Sequence, residues 1–332
     1  MKDMESFPMK DQEGKVLVKN ESETDPEQGF DPEKRPVQKL IEFGVVNVNK
    51  PAGPTAHQVT DYVKRIFSVD KAGHSGTLDP GVTGVLPIAL AKATRIVEVL
   101  LKSGKEYVAM MHLHQEMSRK QLEELIEQFT GAITQLPPRR SAVKRQERQR
   151  RVYYCDILDI KDKDVLMRIG CQAGTYIRKL IHDMGVKAKV GAHMAELVRT
   201  RAGPFSYARW CSLQDVRDAF EFCKEGDEKE LRKCVLPFEV ATAHLKKVWV
   251  HDNVVNNVCH GASLGMPGVA KVHEGIEKND LIGVMTMKGE LICLGNAVAS
   301  TKEMLEKEKG LGATTHKVFM ERNTYKPYKE KG

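Results

Sequence analysis

The chain has 332 residues, 41% of them apolar and 29% charged, and a formal net charge of +7. That length accommodates two domains of ~100–200 residues and a substantial core, and the modest positive charge permits a polyanionic partner without requiring one. The start Met1-Lys2-Asp3-Met4-Glu5 is too acidic and polar for a signal peptide, no apolar run approaches the ~18–20 residues that span a bilayer, and seven singly scattered cysteines suit a reduced, soluble intracellular protein.

In chain order, residues 1–36 carry ten acids against six bases with few apolar groups, and read as an extended arm with little regular structure. Gly44–Asn49 alternates as a short strand before a turn at Lys50–Pro54, and His57–Phe67 is periodic through Val59, Val63, Ile66 and Phe67 as a helix. In Gly73–Pro87, four glycines and Pro80 crowd one carboxylate, Asp79. Glycine admits backbone conformations closed to other residues and proline fixes its own φ, so such a turn can hold a side chain rigidly at the surface of a cleft.

Val85–Ala91 is apolar throughout, Thr94–Leu101 has helical spacing, and Tyr107–Leu113 alternates as a strand. A helix over Ser118–Phe129 has Ser118 as N-cap, with Leu122, Leu125, Ile126 and Phe129 on its core face. Tyr153–Ile160 and Val165–Cys171 form a hairpin about the charged turn at 161–164, and Thr175–Met184 and Val190–Val198 read as two helices. Strands and helices mix without regular β-α-β alternation, which predicts an α+β fold. From about Leu245 short strands alternate with glycine turns, at Lys247–Val250, Gly268–Val272, Asp280–Met287 and Glu290–Ala299. The expected divisions are an arm at 1–36, a larger domain at 37–243, a small β module at 244–325 and a tail at 326–332.

Residues 139–151 hold seven cations, Arg139, Arg140, Lys144, Arg145, Arg148, Arg150 and Arg151, against Glu147 alone. Like charges at that density repel unless phosphate neutralises them, so the run reads as an RNA-backbone contact. His112 and His114 share a strand face, but two histidines without further ligands read as structural, and no metal site or cofactor is expected. The glycine-rich loop lacks the lysine and hydroxyl of a P-loop, and Asp79 has no second carboxylate of glycosidase type beside it.

The loop Gly-His-Ser-Gly-Thr-Leu-Asp-Pro at 73–80 resembles the active-site motif of pseudouridine synthases of the tRNA pseudouridine synthase B type. Further blocks follow in that family's order: Gly44–His57, Gly104-Lys105-Glu106-Tyr107, Gln135–Arg145, Ala173–Arg178 and Gly191–Leu197. Their wording is most similar to the archaeal and eukaryotic branch, the dyskerin-type catalytic subunit of box H/ACA ribonucleoproteins. Val254–Val269 is similar to the signature of a PUA domain, a small β-barrel that accompanies many RNA-modifying enzymes.

The resemblance implies a mixed, mainly antiparallel sheet with flanking helices, and RNA-guided isomerisation of uridine to pseudouridine in rRNA or tRNA. It implies Asp79 as the catalytic carboxylate, Arg178 as its partner and Tyr107 as the aromatic side chain that stacks on the flipped base. Leu197 and Tyr176 would line the uracil pocket, while His74, Gly76, Thr77, Leu78 and Lys50 would support the loop. The basic run, with His260 and Gly261 of the PUA-like module, would bind RNA. The partners implied are a guide RNA, a substrate RNA, Nop-ten-like and Gar-one-like proteins bound directly, and an L7Ae-type protein bound through RNA. The chain has only a compact segment where stand-alone tRNA enzymes carry a longer insertion, which favours guided targeting. A stand-alone tRNA modifier and a non-catalytic RNA scaffold are the alternatives. Eukaryotic relatives end in long lysine-rich tails, whereas this chain stops at Lys329-Glu330-Lys331-Gly332, which suits an archaeal, cytoplasmic protein.

Overall fold

The computed structural model describes residues 14–137 and 146–327. In chain order they form β1 (Val16–Val18), α1 (Val37–Glu42), β2 (Gly44–Lys50), α2 (Ala56–Ile66), β3 (Ala72–His74), β4 (Thr83–Leu90), α3 (Val97–Lys102), β5 (Lys105–Leu113), α4 (Arg119–Gln128), β6 (Gly131–Gln135), β7 (Arg148–Lys161) and β8 (Asp164–Cys171). Then come α5 (Ile177–Lys187), β9 (Ala192–Ala202), β10 (Phe205–Ser206), α6 (Leu213–Lys224), α7 (Lys229–Cys234) and β11 (Val235–Pro237). The C-terminal module holds β12 (Lys247–Val250), α8 (Asp252–Cys259), β13 (Leu264–Gly265), β14 (Val269–His273), β15 (Leu281–Met285), β16 (Leu291–Ala297), α9 (Thr301–Glu306) and β17 (Leu311–Val318).

The larger sheet runs β11-β2-β4-β9-β5-β8-β7-β6, with β3 on β4 and β10 on β9. Its pairings are antiparallel except β4 with β9, as a mainly antiparallel α+β fold requires. Helices α4 and α5 cover one face through Leu122, Leu125, Leu180, Ile181 and Met184, which pack on Ala109, Met111, Met167 and Ile169. Helices α1, α2 and α6 bury Leu40, Val59, Val63 and Val216 against Val46, Val48, Leu86 and Ile88. Thr55 with Gln58, and Ser118 with Gln121, close reciprocal caps at the starts of α2 and α4, satisfying N–H groups that a helix start leaves unpaired.

Residues 190–198 depart from the helix that their sequence predicts. Ala, Met, Glu and Leu there are good helix formers, yet Ala192–Ala202 is the central strand β9. Gly191, at φ +73°, ends the preceding segment, and β9 then fills the gap between β4 and β5, where pairing on both edges outweighs local preference. The 94–101 segment is also divided, into a 3-10 turn over Ala91–Ile96 and the short α3.

The C-terminal strands follow the path β1-β14-β12-β15-β16-β17-β13, and Val248, Val272, Ile282, Val284, Ile292 and Ala313 converge on one core. The arm is therefore more structured than its composition indicates. Val16–Val18 adds an antiparallel edge strand to β14, and Glu290 accepts bonds from the Phe30 backbone N–H (3.0 Å) and the Tyr325 hydroxyl (2.9 Å). A second shared core joins the two domains: Phe43, Phe238 and Phe319 stack in series at 5.7 Å. Beside them Arg35 and Glu239 form a buried two-pronged ion pair at 2.9 and 2.6 Å.

Candidate active site

The Asp79 loop joins β3 to β4 where the outer edge of β4 changes partner. β3 pairs with the end of β4 through His74↔Ile88, and β9 pairs with its start through Thr83↔Val198 and Gly84↔Arg199. Gly84 makes that junction possible: its φ is +107°, and an added Cβ would lie 2.2 Å from the Arg199 carbonyl oxygen. Only glycine lets β9 approach there. Within the loop, the Val82 N–H closes a turn onto the Asp79 carbonyl at 3.0 Å, with Asp and Pro at the first two positions such a turn favours. Leu78 is buried and anchors the loop, whereas the Asp79 side chain is 56% exposed.

Beneath the loop lie two buried cations. The Lys50 ammonium donates to the carbonyls of Pro51 (2.8 Å) and Pro80 (3.1 Å), and the Gly53 N–H also donates to Pro80 (3.0 Å). Burial and the charge of Arg199 pull the Lys50 pKa down, and Asp79 opposes them. Arg199, 1% exposed, donates from Nε to Val85 (2.7 Å) and from Nη2 to Gly76 (3.1 Å). Tyr107 stands directly across the β5–β9 register from it, and the two side chains influence each other's titration. A single buried arginine thus ties the loop to β4, with Tyr107 opposite it on β5.

Around this base the expected residues assemble. Arg178, in the first turn of α5, places Nη2 2.5 Å from Asp79 Oδ2, with the pair open to solvent. Tyr107 is half-buried, and its phenol is pushed up by burial and, more weakly, by Asp79, so it is a neutral hydroxyl near neutral pH. Leu197, opposite Ala109 and two residues before Arg199, lies on the same face of β9 and packs toward α5. It comes from a strand, not the helix expected. Tyr176 is the N-cap of α5; its N–H and carbonyl are held by the side-chain amide of buried Gln135 at 3.0 and 3.2 Å.

His74 sits edge-on to His57, 5.6 Å between centroids, and its Nδ1 accepts the Gly76 N–H at 3.4 Å. Burial first, then His57 and Arg199, lower its pKa, so the ring is neutral and shapes the loop through an acceptor nitrogen. Gly76 itself has φ +124°, and Thr77 faces solvent.

Of the basic run, Arg139, Arg140, Lys144 and Arg145 lie outside the described residues. Arg148, Arg150 and Arg151 lie on β7, and the Arg150 guanidinium packs over Gly174 in the turn that leads to Tyr176 and Arg178. The cationic strand therefore reaches the rim of the site. His260 and Gly261 follow α8 in the C-terminal module, both exposed. His112 bonds Asp164 (2.7 Å) and His114 bonds His193 (3.1 Å); among the described residues no three such side chains converge as a metal shell. Arg199 and Gln135 carry no sequence signal of their own. Once β9 is recognised as a strand, the two-residue spacing of Leu197 and Arg199 is the signal that places both toward the site.

Residues 64–123 and 114–177 match the N-terminal domain of the TruB family of pseudouridylate synthases, and 178–243 match the tRNA pseudouridylate synthase B C-terminal domain. Residues 246–319 match the PUA domain and 5–60 the DKCLD domain. A probable tRNA pseudouridine synthase B from Methanopyrus kandleri is 53% identical over 316 residues, covering 95% of this chain and 94% of that protein. Its counterpart in Pyrococcus furiosus is 52% identical over 319 residues, with 95% and 94% covered. A solved Cbf5-Nop10-Gar1 complex contains a chain that matches with a TM-score of 0.89 and 51% identity, over 96% of this chain and 97% of that one. An H/ACA ribonucleoprotein bound to a substrate RNA containing 2′-deoxyuridine gives 0.88 and 49%, over 95% and 98%. With this identity, fold and order of domains, the chain belongs to the TruB family of pseudouridine synthases.

Proposed function

We propose that this chain isomerises uridine to pseudouridine in RNA as the catalytic subunit of a guide-dependent H/ACA ribonucleoprotein, with Asp79 as its catalytic carboxylate. The observation that carries the reading is the exposed Asp79–Arg178 ion pair, at 2.5 Å, in a loop braced from below by Lys50 and Arg199. The reaction breaks the N1–C1′ bond, turns the uracil and rejoins it through C5, so it needs no external atom. It needs a nucleophile, a grip on the detached base, and removal of the C5 proton. A uridine swung out of its helix meets a carboxylate already paired with a guanidinium. Tyr107 offers a π face for the base, and Leu197 and Tyr176 supply the apolar walls.

Guide and substrate backbones cross the cations of β7 and the C-terminal module, with His260 and Gly261 at the guide's end. Partners equivalent to the Nop10 and Gar1 of the solved complexes bind the chain directly, an L7Ae-type protein joins through RNA, and the assembly works in the cytoplasm. Among the described residues no helix is long and apolar enough to cross a membrane. The test is reconstitution with guide, target and accessory proteins, reading pseudouridine by chemical mapping. Product that requires both the guide and Asp79 supports the proposal. The naming of the curated relatives as tRNA pseudouridine synthases favours a second reading, and modification of a tRNA stem-loop with no guide present would establish it.

A further inference from the structure

We propose that Cys211 and Cys234 form a redox-active dithiol that closes to an intramolecular disulfide, a modification site on the outer edge of β2, remote in role from the uridine chemistry. Two independent chain segments deliver the thiols to one place. The Cys211 N–H donates to Asn47 (2.9 Å) and its carbonyl accepts from the Asn49 N–H (2.8 Å), so Cys211 bridges Val48. Cys234 ends α7 immediately before β11, whose Val235 faces Val46 on the same edge, since β4 occupies the other. The two cysteines therefore approach β2 about one strand step, ~3.4 Å, apart along its edge. That offset along the shared edge is well short of the separation of about 7 Å beyond which two cysteines cannot be bridged.

Both side chains belong to one apolar cluster with Val46, Val48, Leu231 and Val235. Cys234 is buried within it, whereas Cys211 is only half-buried and within reach of a small oxidant. Each thiol shifts the other's titration, Cys234 upward and Cys211 below its ordinary value. The more accessible Cys211 is the nucleophile and the buried Cys234 the resolving thiol. By contrast, burial pushes Cys155, Cys171, Cys259 and Cys293 up to about 12, and Cys223, half-buried on α6, is also raised.

With a peroxide as oxidant the step balances. The Cys211 thiolate attacks one peroxide oxygen and breaks the O–O bond, giving a sulfenic acid and, after protonation of the leaving oxygen, one water. The Cys234 sulfur then attacks the sulfenic sulfur, the S–O bond breaks, and the departing hydroxide takes the Cys234 proton as a second water. Two thiols lose two electrons in all, and hydrogen peroxide is reduced to two waters. The new bond staples the start of the α6–α7 pair to its end, along the strand whose last residue is Lys50.

The test treats the full-length protein with near-stoichiometric hydrogen peroxide, blocks free thiols by alkylation, and maps non-reduced peptides by mass spectrometry. The expected result is one linked pair, Cys211 with Cys234, with titratable thiols in denaturant falling from seven to five and returning with dithiothreitol. Cys234→Ser should arrest oxidation at a dimedone-reactive Cys211, and Cys211→Ser should leave Cys234 unoxidised at the same dose. The proposal is overturned if the parent protein oxidises Cys211 without linking it, if Cys223 or a buried cysteine reacts first, or if the pair stays reduced throughout. The parent mapping needs no substitution, so poor folding of a variant cannot mask the outcome.

Discussion

Replacing Arg199 with methionine should both loosen the fold and disable the site. Methionine keeps the apolar stem but removes the donors to Val85 (2.7 Å) and Gly76 (3.1 Å). Hydrogen bonds from a charged group contribute about 1.5–3 kcal/mol each, and carbonyls left buried without donors add to the loss. Relief from burying the guanidinium offsets part of this, leaving a net loss of about 3–5 kcal/mol, the range typical when a buried charged network is broken. The catalytic consequence is indirect, because Arg199 holds the loop that carries Asp79. A displacement of ~1 Å in a reacting group costs on the order of 100-fold in rate, so single-turnover pseudouridine formation should fall by about that factor. Binding of target RNA should change less than about threefold, since the guanidinium is buried and makes no surface charge. Stability is best read by urea unfolding in a Trp249→Phe background, where Trp210 is the sole tryptophan and reports on the larger domain. A variant with stability within ~1 kcal/mol of its parent, or with full single-turnover rate, would show that Arg199 does not brace the loop.

Asp79→Asn should abolish product while leaving the urea midpoint almost unchanged, because an exposed ion pair contributes only about 0–1 kcal/mol. Gly84→Ala should destabilise by about 2–4 kcal/mol, combining a left-handed φ with a backbone overlap that cannot move aside, as equilibrium unfolding will measure. His244 is buried beside Ser103 and Lys105, and burial pulls it down to about 4. Unfolding therefore takes up a proton between pH ~6.5 and ~4: its contribution is intact above that window and is lost as pH falls through it, by about 3 kcal/mol at full titration. His244→Gln should flatten that slope in acid unfolding curves, and an unchanged slope would assign it to other groups. Neutralising Arg148, Arg150 and Arg151 together should lower the salt dependence of RNA binding by about two ions released, measured as log affinity against log salt.

The single carboxylate at 79 is legible in the chain itself, because a turn is local chemistry: Asp, Pro and Gly at consecutive positions dictate backbone angles wherever they occur. The same holds for the Ser118 cap, the β7–β8 hairpin and the change to a β-rich C-terminal module, and the motif blocks point to the family by their wording. Arg178 and Tyr107 are also legible, but only as members of those blocks, not from any property of an arginine in a helix or an aromatic in a strand. What the chain order cannot display is contact between distant segments. Residues 190–198 look helical residue by residue, and only the vacancy between β4 and β5 makes them a strand. That one reversal turns Leu197 and Arg199 toward the site. Likewise an acidic, polar arm becomes an edge strand because β14 presents an unpaired edge to it. Local propensities amount to tenths of a kcal/mol per residue, and a strand paired on both sides outweighs them. The amino-acid order alone therefore determined which groups could do chemistry, while tertiary pairing decided which of them stand together.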